Sequence, residues 1–160
     1  MSFSKALMLW RSLEGGYTVD AGGETCCGIR KDLYLERNPG AVWVPSEPDH
    51  AAYLFKYYWQ PFHCGDLPEP ADSIFFQWVG NSEVAAVQAL QIIVGELPDG
   101  ALGPITIAGM DAYGSKDMAD YLVRMQAMHY VTLHPKGDRD FVGLQNRVKK
   151  VEAAWNADLI

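Results

Sequence analysis

The chain has 160 residues, 49% of them hydrophobic, and this length and composition are typical of one globular domain with a substantial core. Its formal net charge of -7 at pH 7 excludes a typical nucleic-acid-binding protein, because such a protein needs a basic surface to neutralise phosphates. No apolar run approaches the roughly 20 residues that a membrane-spanning helix requires, so we expect no insertion into a membrane.

Apolar spacing predicts a helix at the start of the chain, ended by the glycine pair Gly15-Gly16. Its apolar positions lie three or four residues apart, or side by side: Phe3, Ala6, Leu7, Trp10 and Leu13. Residues 17–45 are rich in glycine and proline. This composition predicts a loop region with at most a short hairpin or one turn of helix.

Helical segments dominate the remainder of the chain. One is predicted to begin after Pro48-Asp49 and to end before Pro61, because a proline disfavours helix in the residue before it. The others are predicted, in chain order, at 73–79, 83–94, 105–110, 116–133 and 141–155. No alternating run of β-branched residues stands out. The sequence therefore predicts a mainly α fold, in which any β structure is confined to residues 17–45.

Glu14 stands at the C-terminal end of the first predicted helix, one turn after Trp10. Unpaired carbonyl groups and the helix dipole disfavour a negative charge at that position, as does the neighbouring indole ring. Asp20 and Thr25 follow in the glycine-rich loop and supply a carboxylate and a hydroxyl group able to hold a water molecule. A neutral acid beside an ionised carboxylate is typical of glycosidic-bond hydrolysis. The alternative is that Glu14 is solvated and the glycines simply form turns.

The string around Glu14 resembles the N-terminal signature of glycoside hydrolase family 108. The matching residues are Glu14-Gly15-Gly16-Tyr17, Asp20, Gly22-Gly23, Thr25 and Gly28-Ile29. Later segments resemble the C-terminal peptidoglycan-binding portion of that family: Asn81-Ser82, Ala89-Leu90-Gln91, Val94-Gly95, and the run from Asp99 to Thr106. Its closing helices are matched by Arg124, Tyr130, Phe141, Gly143-Leu144 and Asn146-Arg147. The family comprises bacterial and phage N-acetylmuramidases with a lysozyme-like helical fold.

The resemblance implies a role for each residue of the signature. Glu14 corresponds to the catalytic acid, and Thr25 would orient the attacking water. Asp20 would stabilise positive charge on the sugar or act as the base. Two positions depart from the family pattern: the segment between Tyr17 and Asp20 is short, and Leu144 stands where the family tends to have tryptophan. Neither a metal ion nor an organic cofactor is implied.

We expect five further residues to contact substrate. Aromatic rings stack on the faces of sugars, and amide side chains form hydrogen bonds with sugar hydroxyl groups. On this basis the candidate substrate-binding residues are Tyr17, Tyr57, Tyr58, Gln77 and Asn81.

The resemblance also predicts how the chain is organised. Residues 1–160 would form a single compact unit, with the catalytic muramidase portion over 1–88. Residues 89–160 would form a peptidoglycan-binding-like helical portion packed on it. The protein would be a monomer.

The function implied is that of a peptidoglycan hydrolase, an endolysin that cleaves the β-1,4 bond between N-acetylmuramic acid and N-acetylglucosamine. Its partner would be the peptidoglycan glycan strand, with no nucleic acid and no membrane involved. No signal peptide is visible, so the protein would stay in the host cytoplasm until its release to the cell wall in the periplasm. Two alternatives remain: a catalytically inactive peptidoglycan-binding or morphogenesis protein of the same fold, and a hydrolase of a related glycan such as chitin.

The cysteine and histidine residues raise two other possibilities. Cys26, Cys27 and Cys64 with His50 and His63 match none of the usual zinc-binding spacings. A nucleophilic Cys26 with His63 or His129 as its base would be a different kind of cell-wall enzyme. We expect reduced thiols, because adjacent cysteines close a strained disulfide ring.

Overall fold

The computed structural model describes residues 2–20, 22–110, 115–133 and 140–157. Within these residues there are seven α-helices: α1 (Ser2–Leu13), α2 (Lys31–Arg37), α3 (Glu47–Leu54), α4 (Ala71–Ile93), α5 (Pro104–Met110), α6 (Ser115–Leu133) and α7 (Phe141–Asn156). Three strands follow α1: β1 (Tyr17–Asp20), β2 (Gly23–Cys26) and β3 (Ile29–Arg30). The predicted mainly α fold is confirmed. The predicted unit over 1–160 also includes residues 1, 21, 111–114, 134–139 and 158–160, which lie outside the described residues.

The three strands form an antiparallel sheet in the order β1-β2-β3. Region 17–45 is therefore more ordered than predicted, since it holds a three-stranded sheet and the two turns of α2. The expected small β region is present, but β3 extends the hairpin and α2 exceeds the one expected turn of helix. The extra strand was not apparent in the sequence, because no strand exceeds four residues and β1 is exposed along its whole length. Such strands carry no alternating apolar pattern.

The helices at the centre of the chain differ from the prediction in detail. α3 begins at Glu47, where the hydroxyl group of Ser46 accepts the N–H of Asp49 at 3.3 Å as an N-cap. Residues 55–59 continue it as a π-helix that ends before Pro61, as predicted. The two helices predicted at 73–79 and 83–94 are joined in α4, which has non-helical dihedrals at Ser82 (φ -150°, ψ 76°).

One hydrophobic cluster extends from Ala6 in α1 to Val151 in α7, and α4 is its central element. Trp10 is 1% exposed and packs directly on α4, because a Cβ atom at Gly80 would lie 2.1 Å from its ring. Burying a large apolar side chain contributes about 1.5–3 kcal/mol. The end of α1 is thereby fixed against the core. Among the described helices, none is both long and apolar enough to cross a membrane.

Candidate active site

Glu14 follows directly on α1, and its N–H donates to the carbonyl oxygen of Trp10 at 2.9 Å. The side chain is 20% exposed and lines a cleft of about 600 Å³. The cleft is bounded by the end of α1, by Asp20 of β1, by Asn81 of α4 and by one face of α7. Three of the predicted site residues therefore meet in one concave surface.

Arg147 of α7 forms an ion pair with Glu14 that sequence analysis did not predict. Its Nη1 donates to Glu14 Oε1 at 2.6 Å, and its side chain is 10% exposed. Gln77 holds the same guanidinium group, because Nε donates to Gln77 Oε1 at 3.1 Å and Nη2 to the Gln77 carbonyl oxygen at 3.2 Å. Gln77 thus fixes two of the guanidinium nitrogen atoms, and the third, Nη1, binds one oxygen of Glu14 and restricts where its carboxyl group can lie.

Gly28 lies against the other side of the Glu14 side chain. It has a φ of +83°, which favours glycine. A Cβ atom at this position would lie 2.7 Å from Cγ and Cδ of Glu14 and 2.9 Å from its Oε2. Both the backbone conformation and the close approach to Glu14 therefore require glycine here.

The turn that carries Gly28 is anchored through the backbone of Cys27. The Cys27 carbonyl oxygen accepts Trp10 Nε1–H at 2.9 Å and a ring nitrogen of His50, Nε2, lies 3.0 Å from it. The Cys27 N–H donates to the Gly16 carbonyl oxygen at 3.2 Å. Burial lowers the pKa of His50, and the neutral ring with its proton on Nε2 is the tautomer that fits this bond.

The strand register places Asp20 and Thr25 on one face of the sheet. Thr18 pairs with Thr25, and Asp20 follows Thr18 by two residues, so the three side chains point the same way. Asp20 lines the cleft, and its Oδ1 accepts the N–H of Gly22 at 2.7 Å. Thr25 is partly buried and is not one of the residues that line the cleft around Glu14.

Tyr17 points to the opposite face of the sheet and does not line this cleft. Its hydroxyl group donates to Glu24 Oε2 at 2.7 Å, and this bond raises the pKa of Tyr17. Glu24 also accepts Lys31 Nζ at 2.6 Å and Trp43 Nε1 at 3.1 Å. The hydrogen bond from Lys31 lowers the pKa of Glu24. Tyr17 thus contacts Glu24 on the face of the sheet away from the cleft of Glu14, and its predicted contact with substrate stays a prediction.

Tyr57 and Tyr58 belong to an aromatic cluster outside the cleft lining. The Tyr57 hydroxyl group donates to the Arg37 carbonyl oxygen at 3.1 Å, and the Arg37 guanidinium carbon lies 4.8 Å from the Tyr57 ring centroid. The Tyr58 ring lies 6.0 Å from that of Trp10. These contacts join α2 to the π-helical turn and do not bring either tyrosine to Glu14.

Gln77 and Asn81 have different surroundings. Gln77 is fully buried and contacts Arg147. It does not lie on the surface of the cleft, where the sequence analysis expected it. Asn81 lines the cleft, and its Oδ1 accepts the hydroxyl proton of Tyr130 at 2.7 Å. Gln126 links Gln77 to Tyr130. Gln77 Nε2 donates to Gln126 Oε1 at 2.8 Å, and Gln126 Nε2 donates to the Tyr130 hydroxyl oxygen at 3.0 Å. A continuous chain of hydrogen bonds therefore runs from Glu14 through the interior to Asn81.

Among the residues that the structure describes, the thiols and histidines singled out above do not form a zinc site, and Cys26 is not placed as a nucleophile. Among the described residues there is no group of three or more histidine, cysteine or carboxylate side chains placed to hold a metal ion. His63 pairs with Asp66 at 2.8 Å, and His50 contacts the carbonyl oxygen of Cys27 rather than a thiol. Burial raises the pKa of Cys26 to about 11, which disfavours the thiolate that a nucleophile requires.

Residues 9–82, just under half of the chain, match the family model described as Glycosyl hydrolase 108. The match supports a glycoside hydrolase, and the matching segment includes Glu14, Asp20, Thr25 and Gly28. It ends at residue 82, so the peptidoglycan-binding portion expected over 89–160 stays a prediction. A comparison with curated protein sequences finds no match.

Among solved structures, the chain is similar to one reported as "Structure of Brucella abortus SagA". The TM-score is 0.79, with 24% sequence identity, and the likeness covers 97% of this chain and 94% of the other. At this identity the likeness concerns the fold. It confirms the expected lysozyme-like helical fold with a small β region after the first helix.

Proposed function

We propose that this protein hydrolyses peptidoglycan as an N-acetylmuramidase, cleaving the β-1,4 bond between N-acetylmuramic acid and N-acetylglucosamine. One observation carries the proposal: Glu14, inside the segment that matches Glycosyl hydrolase 108, lines an open cleft together with Asp20. Two carboxyl groups that flank a glycosidic bond are the minimum that most glycoside hydrolases need.

Glu14 is the general acid in this proposal, and its two oxygen atoms have different tasks. Oε1 accepts a hydrogen bond from Arg147, whose guanidinium group only donates. The proton of the neutral acid therefore sits on Oε2, the atom beside Gly28. After Oε2 has protonated the leaving oxygen, Arg147 stabilises the carboxylate that remains.

Asp20 and Thr25 act on the other side of the reaction. Asp20 stabilises positive charge on the sugar or serves as the base, and Thr25 orients the attacking water. Their position on one face of the sheet supports this assignment. Asn81 and the cleft face of α7, with Asn146 and Lys150, contact the sugar units on either side of the bond.

The proposal includes the binding partner of the protein and its localisation. The partner is the glycan strand, bound by a monomer in which residues 89–160 contribute the binding portion. α7 belongs to that portion and forms a wall of the cleft that holds Glu14. As an endolysin, the protein would remain in the host cytoplasm until its release to the cell wall.

A second candidate is a peptidoglycan-binding protein of the same fold that has no activity. The bond from Arg147 favours it, because it occupies Oε1 of Glu14 and leaves one carboxyl oxygen to meet a substrate. The two candidates differ in what substitution of Glu14 would do.

Lysis of outer-membrane-stripped Gram-negative cells, followed by turbidity, tests the proposal. We expect wild type to clear the cells, Glu14→Gln to be inactive, and both to sediment with purified peptidoglycan. Glu69→Gln is the matched control, because Glu69 is also paired with a cation, Lys5, but is exposed on the surface. Cosedimentation of both proteins without lysis by either would favour the inactive binding protein.

A further inference from the structure

The proposed reaction uses no thiol, yet Cys26 and Cys27 lie close together beside its site. Their sulfur atoms are 3.7 Å apart, with the thiol of Cys26 donating to that of Cys27. Cys26 is buried and Cys27 is partly exposed. Both line a second pocket of about 490 Å³, whose apolar wall includes Val44 and Pro45. A small molecule therefore has access to this pair of thiols.

The backbone of the pair is coupled to Glu14. Cys27 is held by Trp10, His50 and Gly16 through its carbonyl oxygen and its N–H. The next residue, Gly28, lies against the Glu14 carboxyl group with no room for even one added carbon atom. Any change of backbone conformation at Cys27 consequently moves the surface against which Glu14 rests.

We propose that Cys26 and Cys27 are a redox modification site, which a small-molecule disulfide such as oxidised glutathione converts to a Cys26–Cys27 disulfide, displacing Gly28 from Glu14. Cys27, the more exposed thiol, attacks one sulfur of the reagent as its thiolate, forms a mixed disulfide and expels one reagent thiolate. Cys26 then gives up its thiol proton to solvent, slowly because its thiol is buried, and its sulfur attacks that of the adjacent Cys27, so that the second reagent thiolate leaves and takes up a proton. The two cysteines lose two electrons and two protons, and the reagent disulfide is reduced to two thiols.

The geometry makes this oxidation a conformational change. A disulfide bond measures about 2.05 Å, whereas the two sulfur atoms now stand 3.7 Å apart. The Cα atoms of adjacent residues are about 3.8 Å apart across a trans peptide, less than the roughly 4.4–6.8 Å that disulfides usually span. Because that Cα separation is fixed, the ring closes only with altered dihedral angles at Cys26 and Cys27, and we expect at least one of the three hydrogen bonds at Cys27 to break.

The same strain makes the modification reversible. Strained disulfides are reduced more readily than relaxed ones, so an added dithiol should return the pair to the present conformation. Cys64 provides an internal contrast, since it is fully buried. We expect its thiol not to react under the same conditions.

The effect on lysis rests on the proposed function, but the chemistry of the pair does not. The experiment treats the reduced full-length chain with oxidised glutathione and then blocks free thiols. Intact mass and peptide mapping locate the disulfide, the NMR signal of the Trp10 indole N–H reports the anchor at Cys27, and turbidity reports lysis. Cys27→Ser, which keeps the backbone and removes one thiol, is the variant, and Cys64→Ser is its control.

In wild type and Cys64→Ser we expect the intact mass to fall by two hydrogen atoms and the Trp10 indole signal to shift. Their lytic activity should fall on the order of 100-fold, which is the effect of misplacing a catalytic group by about 1 Å. Dithiothreitol should restore the Trp10 signal and the lytic activity. Cys27→Ser should stay active before and after treatment with oxidised glutathione. A lasting glutathione adduct, an unchanged Trp10 signal or unchanged lysis by the disulfide form would overturn the proposal. A disulfide with a shifted Trp10 signal, in a chain that never lyses cells, would support the modification site and count against the proposed function.

Discussion

Arg147 determines how the carboxyl group of Glu14 is presented, and it lies 133 residues away in the chain. Glu14 was predictable, because a carboxylate before a glycine pair is part of a recognisable string. Its cation partner was not, since nothing in the local sequence around Arg147 marks it as paired with Glu14. The sequence also does not show which residues pack around Gln77. It was therefore expected in the cleft, whereas the structure buries it in contact with Arg147.

Arg147→Met should reduce activity more than it reduces binding. The substitution removes three hydrogen bonds to Glu14 and Gln77, each worth about 0.5–1.5 kcal/mol in stability, and lets the acid move, while Gln126 still donates to Gln77 Oε1. We expect kcat to fall on the order of 100-fold, as for other misplaced catalytic groups, in a turbidity assay. Lys149→Met, on the exposed side of the same helix, is the control. Equal losses in the two variants would exclude a specific role for Arg147.

Gly28→Ala should abolish most activity through contact with Glu14. The added Cβ would lie 2.7 Å from the Glu14 side chain, and the positive φ costs about 1–2 kcal/mol for any other residue. Gly40→Ala is a matched control, because Gly40 has a φ of +84° and open space around its Cβ position. Both variants should lower the free energy of unfolding, measured by urea denaturation. Only Gly28→Ala should lose lysis, and retained activity there would contradict the close contact.

Secondary structure elements differ in how far the sequence determined them. The long helices α6 and α7 were predicted because their apolar residues repeat every three or four positions over several turns. The sheet was not, because its strands are short and mostly exposed, and its turns depend on glycines such as Gly23 and Gly28 with positive φ. That sheet nevertheless carries Asp20, Thr25 and Gly28, so the least predictable element holds much of the candidate site.

His50, which joins α3 to the turn of Gly28, should make stability depend on pH. Burial lowers the pKa of His50 in the folded protein, while the unfolded chain takes up a proton near pH 6.5. As the pH falls below about 6.5, the unfolded state therefore binds more protons at His50 than the folded state does. The free energy of unfolding decreases from that pH down to the lowered pKa of the folded protein. Above about pH 6.5, the contribution of His50 is fully present.

His50→Gln tests this dependence and keeps an N–H donor for the Cys27 carbonyl oxygen. We expect the urea midpoint of wild type to decrease more steeply than that of His50→Gln between roughly pH 7 and pH 5, the range around the ordinary histidine pKa. His63→Gln is the control, because His63 is exposed and paired with Asp66. Parallel pH profiles for wild type and His50→Gln would contradict the assignment.

At the scale of the whole molecule, a buried polar chain ties four helices together at the cleft. It runs from Glu14 at the end of α1 to Asn81 of α4 through Arg147, Gln77, Gln126 and Tyr130. Composition and charge predicted one domain with an apolar core, and that organisation of the chain stays a prediction. They gave no indication of the polar chain, because such a chain depends on residues brought together only by the fold.

Gln126→Leu should weaken the whole assembly. It removes the bond from Gln77 Nε2 to Gln126 and the bond from Gln126 to the Tyr130 hydroxyl oxygen, each worth about 0.5–1.5 kcal/mol, while Gln77 keeps Arg147 and Tyr130 keeps Asn81. We expect a lower free energy of unfolding in urea and a reduced kcat, because both ends of the chain lie in the cleft. Gln60→Leu, at an exposed position, should change stability by no more than about 0.5 kcal/mol. A neutral Gln126→Leu would show that the chain is not structurally required.

The fragments that the protein releases from purified peptidoglycan distinguish an N-acetylmuramidase with Glu14 as its acid from every other activity considered above. Wild type and Glu14→Gln are incubated with the same material, and soluble products are reduced and identified by mass spectrometry. We expect wild type to release fragments ending in reduced N-acetylmuramic acid and Glu14→Gln to release none. Fragments ending in N-acetylglucosamine, cleavage of the peptides alone, or equal release by Glu14→Gln would contradict this expectation.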